Sequence, residues 1–185
     1  MQSTNFQSMT LRPVGLVRSP IKQPVLQATG EGLTLTERMD QLRRSHRRIE
    51  NAVSELVIDA DLEGILEGVE GFSHILVLYW PHLVPEERRS LRQVHPMGRR
   101  DLPRQGIFAT CSPARPNPVL VSAVRLLARD GHVLKVRGLE AVDGSPIVDI
   151  KPYVHSYYGA ENPTVPEWMM QIQREMAEDA DGVGP

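Results

Sequence analysis

Residues 106–118 carry the side chains in this chain that are best suited to holding a ligand in a fixed geometry. A short apolar run leads there into a segment with three prolines, Pro113, Pro116 and Pro118. Because each proline fixes its own φ and biases the residue before it away from helix, the segment should be stiff and extended. Such a segment presents the guanidinium of Arg115 and the amide of Asn117 at little cost in conformational entropy. The pattern favours a ligand-binding segment, and the alternative is a rigid connector.

Cys111 lies inside the same segment, between Thr110 and Ser112. The nearby Arg115 could make it a reactive thiol, since cationic neighbours favour the thiolate. The alternative, which we prefer, is that Cys111 is a small, half-buried apolar filler. One cysteine and scattered histidines lack the ligand spacing of a zinc site, so we expect no metal.

Four segments in a fixed order resemble the signature of a known family. Residues 106–118 resemble the Thr-Arg-Ser-Pro-x-Arg-Pro-Asn-Pro-Ile-Gly segment of the TrmO (TsaA-like, formerly YaeB) methyltransferases. The other three segments match in the family's order, at residues 13–20, 71–75 and 138–153. Together the four segments span residues 11–154, which is most of the chain.

The resemblance implies an S-adenosylmethionine-dependent methyltransferase that modifies the 6-amino nitrogen of threonylcarbamoyl-adenosine beside the tRNA anticodon. It also implies a small single-sheet β-barrel that acts as a homodimer. It places His82 at the cofactor site and brings the turn Asp143-Gly144-Ser145-Pro146 to the cofactor. From the residues alone, His82 could equally be a surface or core histidine, and the turn an ordinary connection before a strand.

S-adenosylmethionine carries its own leaving group, so such an enzyme mainly has to bind and orient its two substrates. The methionine carboxylate needs cationic or amide donors, and the adenine needs hydrogen bonds and an apolar slot. The predicted cofactor-binding residues are His82, Leu83, Cys111, Ser112, Arg115, Val119, Leu120, Asp143, Gly144, Ser145 and Pro146. The predicted catalytic residues are Arg115, Asn117 and Tyr153. Asp149 and Lys151 share one sheet face and could simply pair with each other.

Some positions depart from the family pattern. Cys111 stands where members usually carry Arg, and Val119-Leu120 stands where they carry Ile-Gly. Residues 29–54 resemble an insertion, and the tail from Pro163 does not resemble the longer extension of the bacterial tRNA enzymes. The departures leave the acceptor open between an adenosine in tRNA and a small molecule or another nucleic acid. A non-catalytic module that binds S-adenosylmethionine or RNA is a further alternative.

Length and composition favour one ordinary globular domain. The chain has 185 residues, of which 41% are hydrophobic and 24% charged. The apolar run at residues 75–80 is too short to span a bilayer, and the N-terminus lacks a signal-peptide pattern. A single cysteine excludes an internal disulfide and favours a cytoplasmic location.

The formal net charge of −2 argues against binding of nucleic acid by bulk charge. Local clusters could still bind it, and arginines concentrate at residues 43–48, 88–92 and 99–104. Each cluster could instead be a solvated face. Phosphate binding would need at least two clusters to meet on one surface.

The periodicity predicts a mainly β fold with peripheral helices, that is, an α+β class. Short strands bounded by turn residues are predicted at 74–79, 106–110, 119–128, 132–137 and 147–150, which is typical of a barrel or curled sheet. The absence of a Gly-x-Gly-x-x-Gly motif disfavours a Rossmann-type enzyme. We divide the chain into a TsaA-like domain at 1–160 and a C-terminal helix and tail at 161–185, whose apolar stripe should dock on the body or on a partner subunit.

Overall fold

A computed structural model describes residues 9–24 and 35–177 of the protein. Its strands are β1 (Gly15–Arg18), β2 (Val53–Ile58), β3 (His74–Tyr79), β4 (Gln93–Val94), β5 (Gln105–Gly106), β6 (Leu120–Asp130), β7 (Val133–Arg137) and β8 (Pro146–Pro152). Its α-helices are α1 (Leu35–Asn51), α2 (His155–Tyr158) and α3 (Glu167–Ala177). Short 3₁₀ turns occupy Val69–Gly71, Glu86–Ser90, Pro96–Gly98 and Ile107–Ala109. Among the described residues, no helix combines the length and apolarity needed to cross a bilayer.

Six strands close into an antiparallel barrel in the order β1-β2-β7-β6-β3-β8. Alternate residues point inward, as the buried Leu56 of β2, Val77 of β3 and Val136 of β7 illustrate. The barrel interior is filled by these side chains, so it is a packed core. The predicted fold class, mainly β with a small barrel and peripheral helices, is confirmed.

Glycines are required at two points of the barrel. A Cβ on Gly15 would lie 2.2 Å from the carbonyl oxygen of Val57, so β1 and β2 approach more closely than any other residue would permit. The β6–β7 hairpin turns at Gly131, whose φ is 57°. With Asp130 paired to Val133, Gly131 is the first residue of a two-residue loop, the position at which a type II′ turn takes glycine.

The predicted strand at residues 106–110 is wrong. The chain leaves β5 at Gly106 and forms the 3₁₀ turn Ile107–Ala109. The carbonyl of Ile107 accepts hydrogen bonds from the amide and the hydroxyl of Thr110 and from the Arg115 guanidinium. The carbonyl of Ile107 is therefore bonded within its own segment and is not available to a neighbouring strand. An apolar run of only three residues is too short to override these local hydrogen bonds.

Two helices pack together beside the barrel. Helix α1 buries Met39 and Leu42, which are three positions apart and so share one helix face, whereas His46 is exposed. Helix α3 buries Ile172 and contacts α1, which confirms docking on the body of the same chain.

Strand β2 starts close behind α1, and its first residue, Val53, pairs with Arg137 of β7. The predicted insertion at 29–54 therefore contains a helix and the first two residues of a barrel strand. The division of the chain at residue 160 stays a prediction.

Candidate functional site

Three groups of predicted site residues meet at one end of the barrel, which we call the site end. Tyr79, the last residue of β3, pairs with Leu120 of β6 on one side and with Ile147 of β8 on the other. The loop after β3, the residues before β6 and the turn before β8 are therefore neighbours. Strand topology alone brings together residues that are far apart in the sequence.

His82 lies against the turn before β8. Its Nδ1 is 3.4 Å from the hydroxyl of Ser145, and a Cβ on Gly144 would come within 3.8 Å of its Nε2. The loop that carries His82 is held to β8 by a hydrogen bond from the amide of Trp80 to the carbonyl of Pro146, at 2.9 Å. Ser145 is buried whereas His82 is exposed, so the histidine ring borders solvent beside a fixed turn.

Asp143 shapes this turn. One carboxylate oxygen accepts a hydrogen bond from the amide of Ser19 at 2.8 Å, and the other lies 2.8 Å from the ammonium of Lys22. The hydrogen bond from Lys22 and that from Ser19 lower the pKa of Asp143 below its usual range. Because both oxygens have partners, the Asp143 side chain anchors the turn to the end of β1. The backbone amides of the turn are committed as well, because Asp143, Gly144 and Ser145 donate to the carbonyls of Ile21, Val17 and Val142.

Arg115 holds the proline-rich segment in shape. Its guanidinium donates to the backbone carbonyls of Ser112 at 2.9 Å, Thr110 at 2.5 Å and Ile107 at 3.4 Å. A planar group with several donors in one fork can tie three carbonyls at once. The preorganisation predicted from the prolines is therefore reinforced by the arginine itself. Its Nε and one Nη are used within the segment and are not free for a ligand.

The other predicted residues of this segment line its surface. Ser112 accepts a hydrogen bond from the amide of Ala114, and the carbonyl of Asn117 accepts one from the amide of Val119. Pro118 is fully buried and fixes the segment to the core just before β6. Cys111 is exposed, so its interpretation as a half-buried filler is wrong. The segment turns at the 3₁₀ turn Ile107–Ala109, and this carries the thiol to the surface.

Tyr153 does not join the other predicted residues within one chain. Its amide donates to the carbonyl of His74 at the start of β3, and its ring stacks on Tyr158 with centroids 6.1 Å apart. The length of β8 separates it from the Gly144 turn, roughly 20 Å for a seven-residue strand. Asp149 and Lys151 do pair, at 2.8 Å, and Asp149 raises the pKa of Lys151.

A cation–aromatic contact beside His82 was missed from the sequence. The guanidinium of Arg89 lies over the ring of Trp80, 5.1 Å from its centroid, and the Arg89 Nε is buried without a hydrogen-bond partner. The signal available in the sequence was a tryptophan at a strand end, followed by an arginine-containing loop. The cluster of arginines at residues 88–92 is visible in the sequence, but the contact of Arg89 with Trp80 depends on how the loop folds back.

A family model described as "tRNA-methyltransferase O N-terminal domain" matches residues 36–158. The chain belongs to this family. The match includes α1 and every barrel strand except β1, so the tRNA-methyltransferase O domain and the described barrel are largely the same unit.

Two curated relatives agree with this family assignment. A "Probable S-adenosyl-L-methionine-binding protein" of Methanothermobacter thermautotrophicus is 46% identical over 143 residues, which are 77% of this chain and 88% of that protein. The "tRNA (adenine(37)-N6)-methyltransferase" of Escherichia coli is 31% identical over 155 residues, which are 80% of this chain. The matched part is 59% of the Escherichia coli protein, so the latter is considerably longer.

A solved structure agrees in fold. The crystal structure of TrmO from Pseudomonas aeruginosa superposes with a TM-score of 0.60 at 24% identity. The superposition covers 85% of this chain and 62% of the TrmO chain. At this identity the likeness concerns the fold, and it confirms the barrel as the architecture of tRNA-methyltransferase O domains.

Proposed function

We propose that this protein is an S-adenosylmethionine-dependent methyltransferase whose donor site lies at the site end of the barrel. The proposal rests above all on the contact of His82 with the Gly144–Ser145 turn, beside the start of β6. Family membership supports it, and so does the name of the Methanothermobacter relative, which describes binding of the same cofactor.

The residues at the site end fit the donor's chemistry. Gly144 has no side chain, so a ligand can approach the backbone of the turn closely. Leu83 is 50% exposed and Leu120 is half-buried, and these two provide apolar surface for an adenine ring. His82, Ser112 and Asn117 offer polar groups for the ribose and the carboxylate. Among the described residues no cluster of His, Cys, Asp or Glu has the arrangement of a metal site.

The chain's own task is then to bind, orient and exclude water. When bound, S-adenosylmethionine supplies a methyl group already activated on a sulfonium. The rigid segment fixed by Arg115 and Pro118 and the turn fixed by Asp143 hold the donor side of the site in place. Positioning of this kind is sufficient to provide most of the rate enhancement of a methyl transfer.

We propose the 6-amino nitrogen of threonylcarbamoyl-adenosine next to the tRNA anticodon as the acceptor. The name of the Escherichia coli relative, which specifies N6 of adenine 37 in tRNA, supports this choice. An acceptor of this kind places the protein in the cytoplasm. A second candidate is a module that binds the cofactor without transferring its methyl group, because the relative of similar length is named only for binding.

We further propose a homodimer through the outer face of β6, β3 and β8. Leu78 pairs with Val121 and Leu76 with Ala123 on this outer face, and Val121 is 59% exposed. A two-fold axis perpendicular to these strands would bring the partner's end of β8 towards the site end. Tyr153 would then complete the site of the other subunit. This arrangement would explain how Tyr153 can belong to the site although it lies far from His82 in its own chain.

The decisive experiment uses tRNA from cells that lack this gene. The purified protein is incubated with that tRNA and S-adenosylmethionine, and the digested nucleosides are analysed by mass spectrometry. We expect one added methyl group on threonylcarbamoyl-adenosine. Cofactor binding by calorimetry without any methylated nucleoside would favour the binding module, and absence of cofactor binding would refute both candidates.

A further inference from the structure

The outer surface of β1, β7 and β6 carries cations that lie far apart in the sequence. We call Arg18, Arg125, Lys135 and Arg137 the cationic face. All four are exposed, and their neighbours Val17, Val124 and Val136 are buried, so the alternation of the strands places the four on the outer surface. The protein as a whole has a formal net charge of −2, so this face opposes the overall sign.

The central feature of the cationic face is a pair of arginines directly opposite each other. Arg125 of β6 is the register partner of Arg137 of β7. Like charges in this position destabilise a sheet, since the Cβ atoms of facing residues are only about 5 Å apart. Among the side chains that the structure describes, at residues 9–24 and 39–177, no carboxylate lies within ion-pair distance of either arginine. An anion bound between them would relieve the repulsion.

The cationic face continues into a groove that leads to the site end. The groove has a volume of about 710 Å³ and is lined by Arg18, Lys22, Lys135 and Asp143, among others. Arg18 and Lys22 are 69% and 68% exposed, so their charges are accessible from the groove. Glu55 lies between Arg18 and Lys135 in the strand register and only partly offsets them, at 3.7 Å from Arg18. Asp143 belongs to the turn that touches His82.

From this arrangement we infer that the cationic face binds the phosphodiester backbone of the RNA acceptor and guides one nucleotide to the site end. Arginine matches the geometry of phosphate by paired hydrogen bonds, and a row of cations spaced along strands suits a charged polymer. The inference rests on the proposed function for the identity of the RNA. Helix α1 extends the positive surface, because the guanidinium of Arg48 reaches the carbonyl of Pro20 at the rim of the groove.

The test compares the double variant Arg125→Gln/Arg137→Gln with wild type and with Arg12→Gln. Arg12 is an exposed arginine that precedes β1, at the barrel end away from the groove. Affinity for an unmodified tRNA transcript is measured by fluorescence anisotropy over a range of KCl concentrations. For the double variant we expect at least about tenfold weaker binding. We also expect its slope of log affinity against log salt to fall by about 1 for each lost phosphate contact.

Affinity for S-adenosylmethionine, measured by calorimetry, should be unchanged in both variants. Wild-type affinity and salt dependence in the double variant would overturn the inference, and so would an equal loss in Arg12→Gln. A different result would refute the proposed function alone: wild type would bind tRNA through the cationic face but would leave its adenosines unmethylated.

Discussion

At the scale of single residues, Arg115 is the position where the structure changes the meaning of the sequence most. Its place between prolines suggested a cation poised for a ligand. Its contacts with the carbonyls of Ile107, Thr110 and Ser112 make it a positioning residue that fixes the loop. Any loss on mutation therefore reaches the reaction through the shape of the segment.

We expect Arg115→Lys to lower the rate constant kcat/KM for methyl transfer by at least tenfold, about 1.4 kcal/mol. A lysine ammonium has its three donors on a single nitrogen, so it cannot reproduce the separate Nε and Nη positions from which Arg115 reaches the three carbonyls. Because the loop borders the proposed donor site, the affinity for S-adenosylmethionine should fall together with turnover. Calorimetry and a methyl-transfer assay measure the two effects. Arg104→Lys, at an exposed arginine just before the segment, is the matched control. Normal affinity and normal turnover in Arg115→Lys would show that the segment is only a rigid connector.

At the same scale, the sequence predicted several neighbours correctly and could not predict others. His82 and Ser145 are 63 positions apart, and the family resemblance placed both at one site. Tyr153 was predicted to belong to that site because it lies in the same motif, at residues 138–153. This motif includes the whole of β8, so its two ends lie at opposite ends of the strand. The opposition of Arg125 and Arg137 depends on the register of β6 and β7, including the irregularity between Leu126 and Ala128. Single-residue patterns carry no information about such a register shift.

At the scale of elements, helix α3 is attached through a buried charge. The Arg99 side chain has no exposed surface and binds Asp101 and Glu175. Glu175 also accepts a hydrogen bond from Gln171 at 2.8 Å, and its backbone carbonyl accepts one from Arg43 at 2.9 Å. The sequence suggested that the arginines at 99–104 were candidates for phosphate binding, but Arg99 is committed to this internal cluster. Removing one partner of such a buried pair leaves a charge uncompensated.

We predict that Glu175→Gln lowers the free energy of unfolding by about 1–3 kcal/mol near neutral pH. Hydrogen bonding to Arg99 lowers the pKa of Glu175 from its ordinary value of 4.5. A depressed pKa in the folded state means that this stabilisation is present above pH 4.5 and is lost as the pH falls through the lower, folded value. Chemical denaturation at a series of pH values should therefore show a smaller loss of stability on acidification in Glu175→Gln than in wild type.

The control for this prediction lies on the same helix. Glu167 pairs with Arg174 at 2.7 Å, but both side chains are largely exposed. Glu167→Gln should change stability by less than about 1 kcal/mol, as is usual for surface pairs. Equal effects of the two substitutions would contradict a special role for the Arg99 cluster in attaching α3.

At the scale of the whole molecule, the barrel carries two outer faces of different chemistry. The cationic face covers parts of β1, β7 and the middle of β6. The apolar face consists of Leu76 and Leu78 of β3 with Val121 and Ala123 of β6, and the ion pair of Asp149 and Lys151 on β8 borders it. The fold class was predictable because short apolar and β-branched runs bounded by turn residues, such as β3 and β7, are a local signal. The two faces that we propose for self-association and for RNA binding could not be predicted from the sequence. Their outward residues become neighbours only when the barrel closes.

We expect wild type to be a dimer in solution and Val121→Glu to be a monomer with weaker affinity for S-adenosylmethionine. Val121 is 59% exposed, so a glutamate there leaves the core intact, but two copies meeting on this face would bury its charge without a partner. Light scattering coupled to size-exclusion chromatography measures the mass, and calorimetry measures cofactor affinity.

Val53→Glu is the matched control, because Val53 is 46% exposed on β2, a strand that does not contribute to the apolar face. It should remain dimeric with unchanged cofactor affinity. A loss of cofactor affinity in monomeric Val121→Glu would support a site that needs the partner's residues, with Tyr153 as the first candidate for mutation. A monomeric wild type across micromolar concentrations would exclude this arrangement, and Tyr153 would then have no route to the site.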